Sequence, residues 1–223
     1  MARATFAAMK VHGDYSKHGY AHLETLIAPP VANELLAQLK TSLDQSGIPL
    51  EGFMREAVML KRPALEIYGY QHKAMMAFLW GLTPTMCELT ERALLPTYSY
   101  FRLYQAGDVC WVHSDRFACE HSLSLTLAYS DAKPWSFEIG RKPIEVVGPV
   151  ETTFGEDAYA QVSMQPGDAV LYKGVHYRHG RVTPNPNRWS AHMFLHWVDA
   201  DGPWRDEAFD RKPATQAIDF VLS

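Results

Sequence analysis

Two hydrophobic rhythms divide the chain. After Pro29-Pro30, the apolar residues Val31, Leu35, Leu36, Leu39 and Leu43 recur every three or four positions, and Gly47 stands just beyond them. That spacing lays one apolar stripe along a helix, which proline can open and glycine can end. Residues 71–79 and 85–95 read as two further helices, the second opened by Thr83-Pro84 and stopped by Pro96. From Tyr98 onward the rhythm shortens to two. The runs 98–104, 109–115, 121–129, 135–139, 159–164, 169–173, 175–179 and 188–198 read as strands between turns rich in Gly, Pro and Asp. The clearest is 121–129, with Leu123, Leu125 and Leu127 on one face. Residues 140–157, rich in Pro, Gly and acidic side chains, form the longest expected loop.

Eight short strands after a helical block predict an α+β, mainly β fold: a double-sheet jelly roll with helices packed on one face. At roughly 150 residues per domain, 223 residues suit a single domain. Within it, 1–97 is expected to be a mainly helical buttress, 98–198 the jelly-roll core and 199–223 a tail. Apolar residues make up 47% and charged residues 21%, which excludes a disordered chain. A net charge of -4 gives no electrostatic reason to expect nucleic acid. Three cysteines, an odd number, argue for a reducing compartment. The N-terminus reaches Lys10, His12 and Asp14 before an export signal could form, and no run approaches the 18 or so apolar residues of a spanning helix. The expectation is a soluble, cytoplasmic protein without a membrane partner.

The candidate chemistry lies at Trp111-Val-His-Ser-Asp115. Residues i and i+2 of a strand point the same way, so His113 and Asp115 present an imidazole and a carboxylate together. With one more His from another strand they make the 2-His-1-carboxylate face that binds non-heme Fe(II) and leaves coordination positions open. Gln165-Pro-Gly-Asp168 launches a later strand, and His179 follows it. Arg188 comes nine residues after His179, and Ser190 two further on. A buried guanidinium there would pair bidentately with a carboxylate.

In Arg102-x-Tyr104-x-x-Gly107, His113-x-Asp115, Pro166-Gly167-Asp168, His179 and Arg188-x-Ser190, the sequence resembles the Fe(II)/2-oxoglutarate-dependent dioxygenases, particularly the prolyl-hydroxylase-like branch. The resemblance implies a double-stranded β-helix with Fe(II) held by His113, Asp115 and His179. It implies 2-oxoglutarate and O2 as cosubstrates, released as succinate and CO2 while a substrate is hydroxylated. Arg188 and Ser190 would hold the far carboxylate of 2-oxoglutarate, with Arg181 or Arg102 as the fallback anchor. Where many prolyl hydroxylases carry a cosubstrate-contacting Tyr, three residues before the first ligand, this chain has Cys110, so Tyr104 is the looser candidate for that contact. Trp111, Arg102 and Arg116 are candidates for the substrate pocket, and the substrate would be a small molecule, an amino acid or a peptide. His179 is preferred over His176 as third ligand, because three residues apart on a strand they would face opposite ways.

Two rival readings stay open at this level. Cys110-x-x-His113 with Cys119-x-His121 could be imagined as a zinc site, though not with the spacing of a finger or ribbon. A cupin-like jelly roll that binds a metal or small molecule, or acts as an isomerase without oxygenase turnover, would share the fold but not need Arg188 and Ser190. His192 and His196 are read as barrel wall or as supporting hydrogen-bond donors, and the Trp set as core or pocket lining.

Overall fold

The computed structural model describes residues 8–211. Residues 1–7, within the stretch read for an export signal, and 212–223 of the expected tail lie outside the described residues. Three α-helices are α1 (Tyr15–His18), α2 (Pro29–Ser46) and α3 (Lys73–Thr90). The strands are β1 (Lys10–His12), β2 (Tyr20–Glu24), β3 (Met54–Arg55), β4 (Ala64–Tyr68), β5 (Leu94–Gln105), β6 (Cys110–His113), β7 (His121–Tyr129), β8 (Phe137–Gly140), β9 (Tyr159–Val162), β10 (Ala169–Tyr172), β11 (His179–Arg181) and β12 (Trp189–Asp199). They form two antiparallel sheets, ordered β1-β2-β10-β7-β12-β5-β4-β3 and β6-β11-β8-β9. Strands β5 to β12 contribute four to each sheet, which is the jelly roll expected from the alternating pattern.

The alternation in β7 decides what lies on either side of the large sheet. Leu123, Leu125 and Leu127 are buried with Leu39 and Leu43 of α2 and Met75, Leu79 and Met86 of α3. Their alternates Ser122, Ser124 and Thr126 face the barrel interior, bonded to His196, Arg181 and His192 respectively. Trp197 of β12 joins the helical side and donates its indole N–H to Thr83 Oγ1 at 2.9 Å. One face is therefore a dry apolar layer and the other a polar interior. No helix is long and apolar enough to cross a membrane, among the described residues.

Three expectations need correction. The helices read at 71–79 and 85–95 are one helix, α3, which continues through Pro84. A proline removes one backbone donor, costly inside a packed helix. Pro84 is exposed, and the carbonyl it leaves without a helical partner belongs to Trp80, itself 53% exposed, so the solvent side bears the defect. Second, residues 94–95 are strand rather than helix, and Pro96 is no stop: Leu94 and Leu95 pair with Asp199 and Val198, and Pro96 sits where the register shifts opposite Trp197. A shift of register is where a strand tolerates a missing N–H. Third, the strand read at 175–179 begins only at His179, and His176 lies in the preceding turn. The stretch before residue 98 also carries β1 to β4, which widen the large sheet.

The Pro166-Gly167-Asp168 turn ties the chain entering α2 to the barrel. Asp168 accepts from Thr25 N at 2.8 Å and Gln165 N at 2.9 Å, and Ile27 N donates to Gly167 O. Asp168 is 6% exposed, so its removal strands two donors. Asp168→Ala is expected to lose about 1–3 kcal/mol in urea unfolding, with no change in metal binding.

Candidate active site

β6 and β11 lie side by side, and their register sets His179 directly opposite His113. Asp115 follows two residues later, its N–H donating to Gly174 O at 2.9 Å. The Nε2 of His113 is 3.6 Å from Asp115 Oδ1 and that of His179 is 3.5 Å from Oδ2. The two rings reach this carboxylate by the same device. His113 Nδ1 bonds the Trp111 carbonyl at 2.7 Å, and His179 Nδ1 bonds the Tyr177 carbonyl at 2.9 Å. A carbonyl only accepts, so each ring carries its proton on Nδ1 and turns the Nε2 lone pair toward Asp115. Two lone pairs and a carboxylate within 4.8 Å of one another are a donor set that fits a divalent metal.

The electrostatics suit that use. Burial, then the neighbouring His179, pushes His113 down to about 4, so its imidazole is neutral at physiological pH. Burial alone would raise the Asp115 carboxyl, but the positive charge that His179, and then His113, carries when protonated pulls it down to about 2, so it is ionised. Behind the carboxylate there is no room. A Cβ on Gly174 would lie within 2.7 Å of Asp115 Oδ2, the Cys119 carbonyl and Ser122 Oγ, so only glycine fits there.

The three groups open into a narrow cavity lined also by Tyr100, Arg102, Tyr104 and Arg181. The two arginines differ. Arg102 is bound to Glu66 through Nε at 2.7 Å and Nη2 at 2.6 Å, and its Nη1 donates to Tyr104 Oη at 3.0 Å. Arg181, 2% exposed, has no carboxylate partner among the described residues. It donates to the Trp135 carbonyl at 2.5 Å and lies 3.4 Å from both Ser124 Oγ and His192 Nδ1, its plane over the Trp135 ring.

Solved structures share this architecture, although no family model and no curated protein matches the sequence. The carbocyclase SnoK from nogalamycin biosynthesis, a non-heme alpha-ketoglutarate-dependent enzyme, is 12% identical, with a TM-score of 0.65 over 84% of this chain and 82% of its own. A prolyl-4-hydroxylase of Pseudomonas putida is 14% identical, with a TM-score of 0.59 over 83% and 95%. HygX of Streptomyces hygroscopicus, solved with nickel, 2-oxoglutarate and hygromycin B, is 9% identical, with a TM-score of 0.61 over 84% and 85%. This chain has the fold of the 2-oxoglutarate-dependent oxygenases.

On that oxygenase fold, the sequence-predicted residues separate into those gathered at the cavity and those left outside. His113, Asp115, His179, Tyr104 and Arg102 are together. Arg188 is not. It precedes β12 rather than lying in it, its side chain is 76% exposed, and its N and Nε bond Asp131. Ser190 faces inward but donates to Asn185 Oδ1 at 2.7 Å, holding the loop before β12. Trp111 is displaced by a register shift: Arg181 pairs with Cys110, so Cys110 joins His113 at the cavity where strict alternation would put Trp111. Gly180 makes this possible, since a Cβ there would lie 2.7 Å from the Cys110 carbonyl. Arg116 stands at the outer mouth, paired with Asp210 at 2.8 Å. His176 faces Trp204 at 5.3 Å. The imagined zinc set is dispersed: His121 is held by Tyr15 and Asp199, and Cys119 by Tyr98. Tyr100 was missed, and its inward position is visible only as part of the alternation Tyr100, Arg102, Tyr104.

Gly174→Ala is expected to weaken Co(II) binding by about 10–100-fold in equilibrium dialysis while leaving the far-ultraviolet circular dichroism unchanged. Unaltered affinity would mean that Asp115 does not depend on the space behind it.

Proposed function

We propose that the protein is an Fe(II)- and 2-oxoglutarate-dependent oxygenase that hydroxylates a small molecule. The observation that carries this reading is a buried cation, Arg181, with no carboxylate partner among the described residues, in the same cavity as the His113, Asp115 and His179 donors. An unpaired charge in a protein interior is costly, and an anionic ligand relieves that cost. Arg181 is two residues past His179 on β11, so both side chains point to the same face.

In this reading His113, Asp115 and His179 hold the iron, which when bound supplies the oxygen chemistry coupled to conversion of 2-oxoglutarate into succinate and CO2. The carbonyls of Trp111 and Tyr177 keep both imidazoles oriented before a metal arrives, so little reorganisation is needed. The Arg181 guanidinium takes the far carboxylate of 2-oxoglutarate in the place first assigned to Arg188, with Ser124 and His192 beside it. Burial, then Arg181, pushes His192 well below the usual imidazole range, so it stays neutral beside the guanidinium. Tyr104, held by Arg102, and Tyr100 fill the wall between anchor and metal and restrict water there.

Similar structures hold small molecules, nogalamycin RO in SnoN and hygromycin B in HygX, which supports a small-molecule substrate. Because Asp115 fills the carboxylate position, oxygenation is favoured over halogenation, for which that position would be small. The cysteines are free and two are buried, in keeping with a reducing, cytoplasmic setting.

Release of succinate from 2-oxoglutarate, dependent on Fe(II) and O2, tests the class, and its absence would favour the cupin-like alternative. Arg181→Met should raise the KM for 2-oxoglutarate by about 30-fold or more, the equivalent of losing about 2 kcal/mol from a buried pair. Arg188→Met should leave it unchanged, and the reverse pattern would return the anchor to Arg188.

A further inference from the structure

We infer that the mouth above the metal donors recognises an electron-rich planar ring, such as a phenol or fused phenolic polycycle, by stacking it on Arg116. The inference deepens the oxygenase reading and depends on it only for what happens to the ring afterwards.

The outer mouth has about 920 Å³ of free space and reaches from Arg55 and Tyr68 at the rim down to His113 and Asp115. Along one wall, flat groups pack against one another, the His196 and Tyr98 planes tilted by 30°. The His196 ring lies 4.6 Å from Tyr98, and the Arg116 guanidinium lies 4.2 Å over Tyr98. The pile ends there, on a side chain 49% exposed. A guanidinium plane stacks on aromatic faces and draws electron-rich ones most strongly.

The pile is held in place. Asp210 takes one edge of Arg116 at 2.8 Å, and to do so the chain turns through two consecutive left-handed residues, Phe209 (φ 55°) and Asp210 (φ 58°). A bulky side chain such as that of Phe209 adopts that conformation only where surrounding contacts impose it. Phe117, next to Arg116, stacks on Trp204 at 5.2 Å with the planes 7° apart, fixing the same segment from the other side. Aromatic surface continues outward from Tyr98 through a groove lined by Tyr70, Trp80 and Phe209, which are 62%, 53% and 46% exposed. Exposed aromatic surface beside a functional cavity marks ligand contact.

Other small-molecule classes fit less well. Of the cations at the mouth, Arg102 is matched by Glu66 and Arg116 by Asp210, which leaves a carboxylate only Arg55 at the outer rim, itself bonded to the backbone carbonyls of Gly52 and Met54. Two of the phenol groups are engaged, Tyr68 with Glu66 and Tyr98 with Cys119, so this wall offers planes more than hydrogen-bonding groups, with Ser114 Oγ and the Tyr100 hydroxyl as the exceptions.

The test compares 2-naphthol with its saturated counterpart decahydro-2-naphthol, using metal-free full-length protein and equilibrium dialysis. At least tenfold preference for 2-naphthol is expected. Arg116→Lys, which keeps the charge and loses the plane, should abolish that preference, and Trp80→Ala on the exposed groove should weaken 2-naphthol about threefold. Equal affinity for both alcohols, binding of neither, or an unchanged preference in Arg116→Lys overturns the inference. The measurement needs no turnover. Succinate release without ring preference would overturn the substrate class alone, and ring preference without succinate release would overturn the oxygenase reading alone.

Discussion

The pairing of β6 with β11 is the constraint on which the site depends. It sets His179 opposite His113, and it places the Trp111 and Tyr177 carbonyls where each can take an imidazole Nδ1–H. Hydrogen bonds of this kind contribute modestly to stability, about 0.5–1.5 kcal/mol each, but they fix direction. Both rings are oriented by backbone rather than by mobile side chains, His113 from within β6 and His179 from the turn that leads into β11, and the same turn holds Asp115 through the Gly174 carbonyl.

The large sheet does a different job. Its outer face is sealed by Leu123, Leu125, Met193 and Leu195 against α2 and α3, which leaves the inner face free to carry polar groups. Those groups are ordered in depth. Tyr98, His196 and Cys119 lie near the mouth, Tyr100 and Arg102 by the metal donors, and Arg181 with His192 deeper inside. Glu66 neutralises Arg102, whereas Arg181 has no carboxylate partner among the described residues.

The jelly roll, the helix from Pro29 and the His113, Asp115 and His179 set were legible in the chain because each depends on local order. Period two assigns a strand face, an H-x-D triplet places two donors together, and Pro-Pro with Gly47 brackets a helix. Where tertiary pairing competes with local signals, the local signals lost. Pro96 reads as a stop but lies within β5, because β12 offers a full-length partner and a register shift absorbs the missing donor. Pro84 reads as a start but lies inside α3, because its turn faces water.

What the sequence determined by itself was therefore the alternation and the order of the chemical groups. The tertiary structure alone decided which groups meet. Arg188 and Arg181 are both arginines near the distal histidine, and nothing local distinguishes them. Arg188 falls one residue before β12 begins, where Asp131 from the neighbouring turn captures it, while Arg181 falls within β11 and is carried inward. Trp111 and Cys110 exchange places for a similar reason. A single register shift beside Gly180 reverses the facing of one residue relative to its neighbour, and a shift of register is set by the partner strand, which local spacing does not contain.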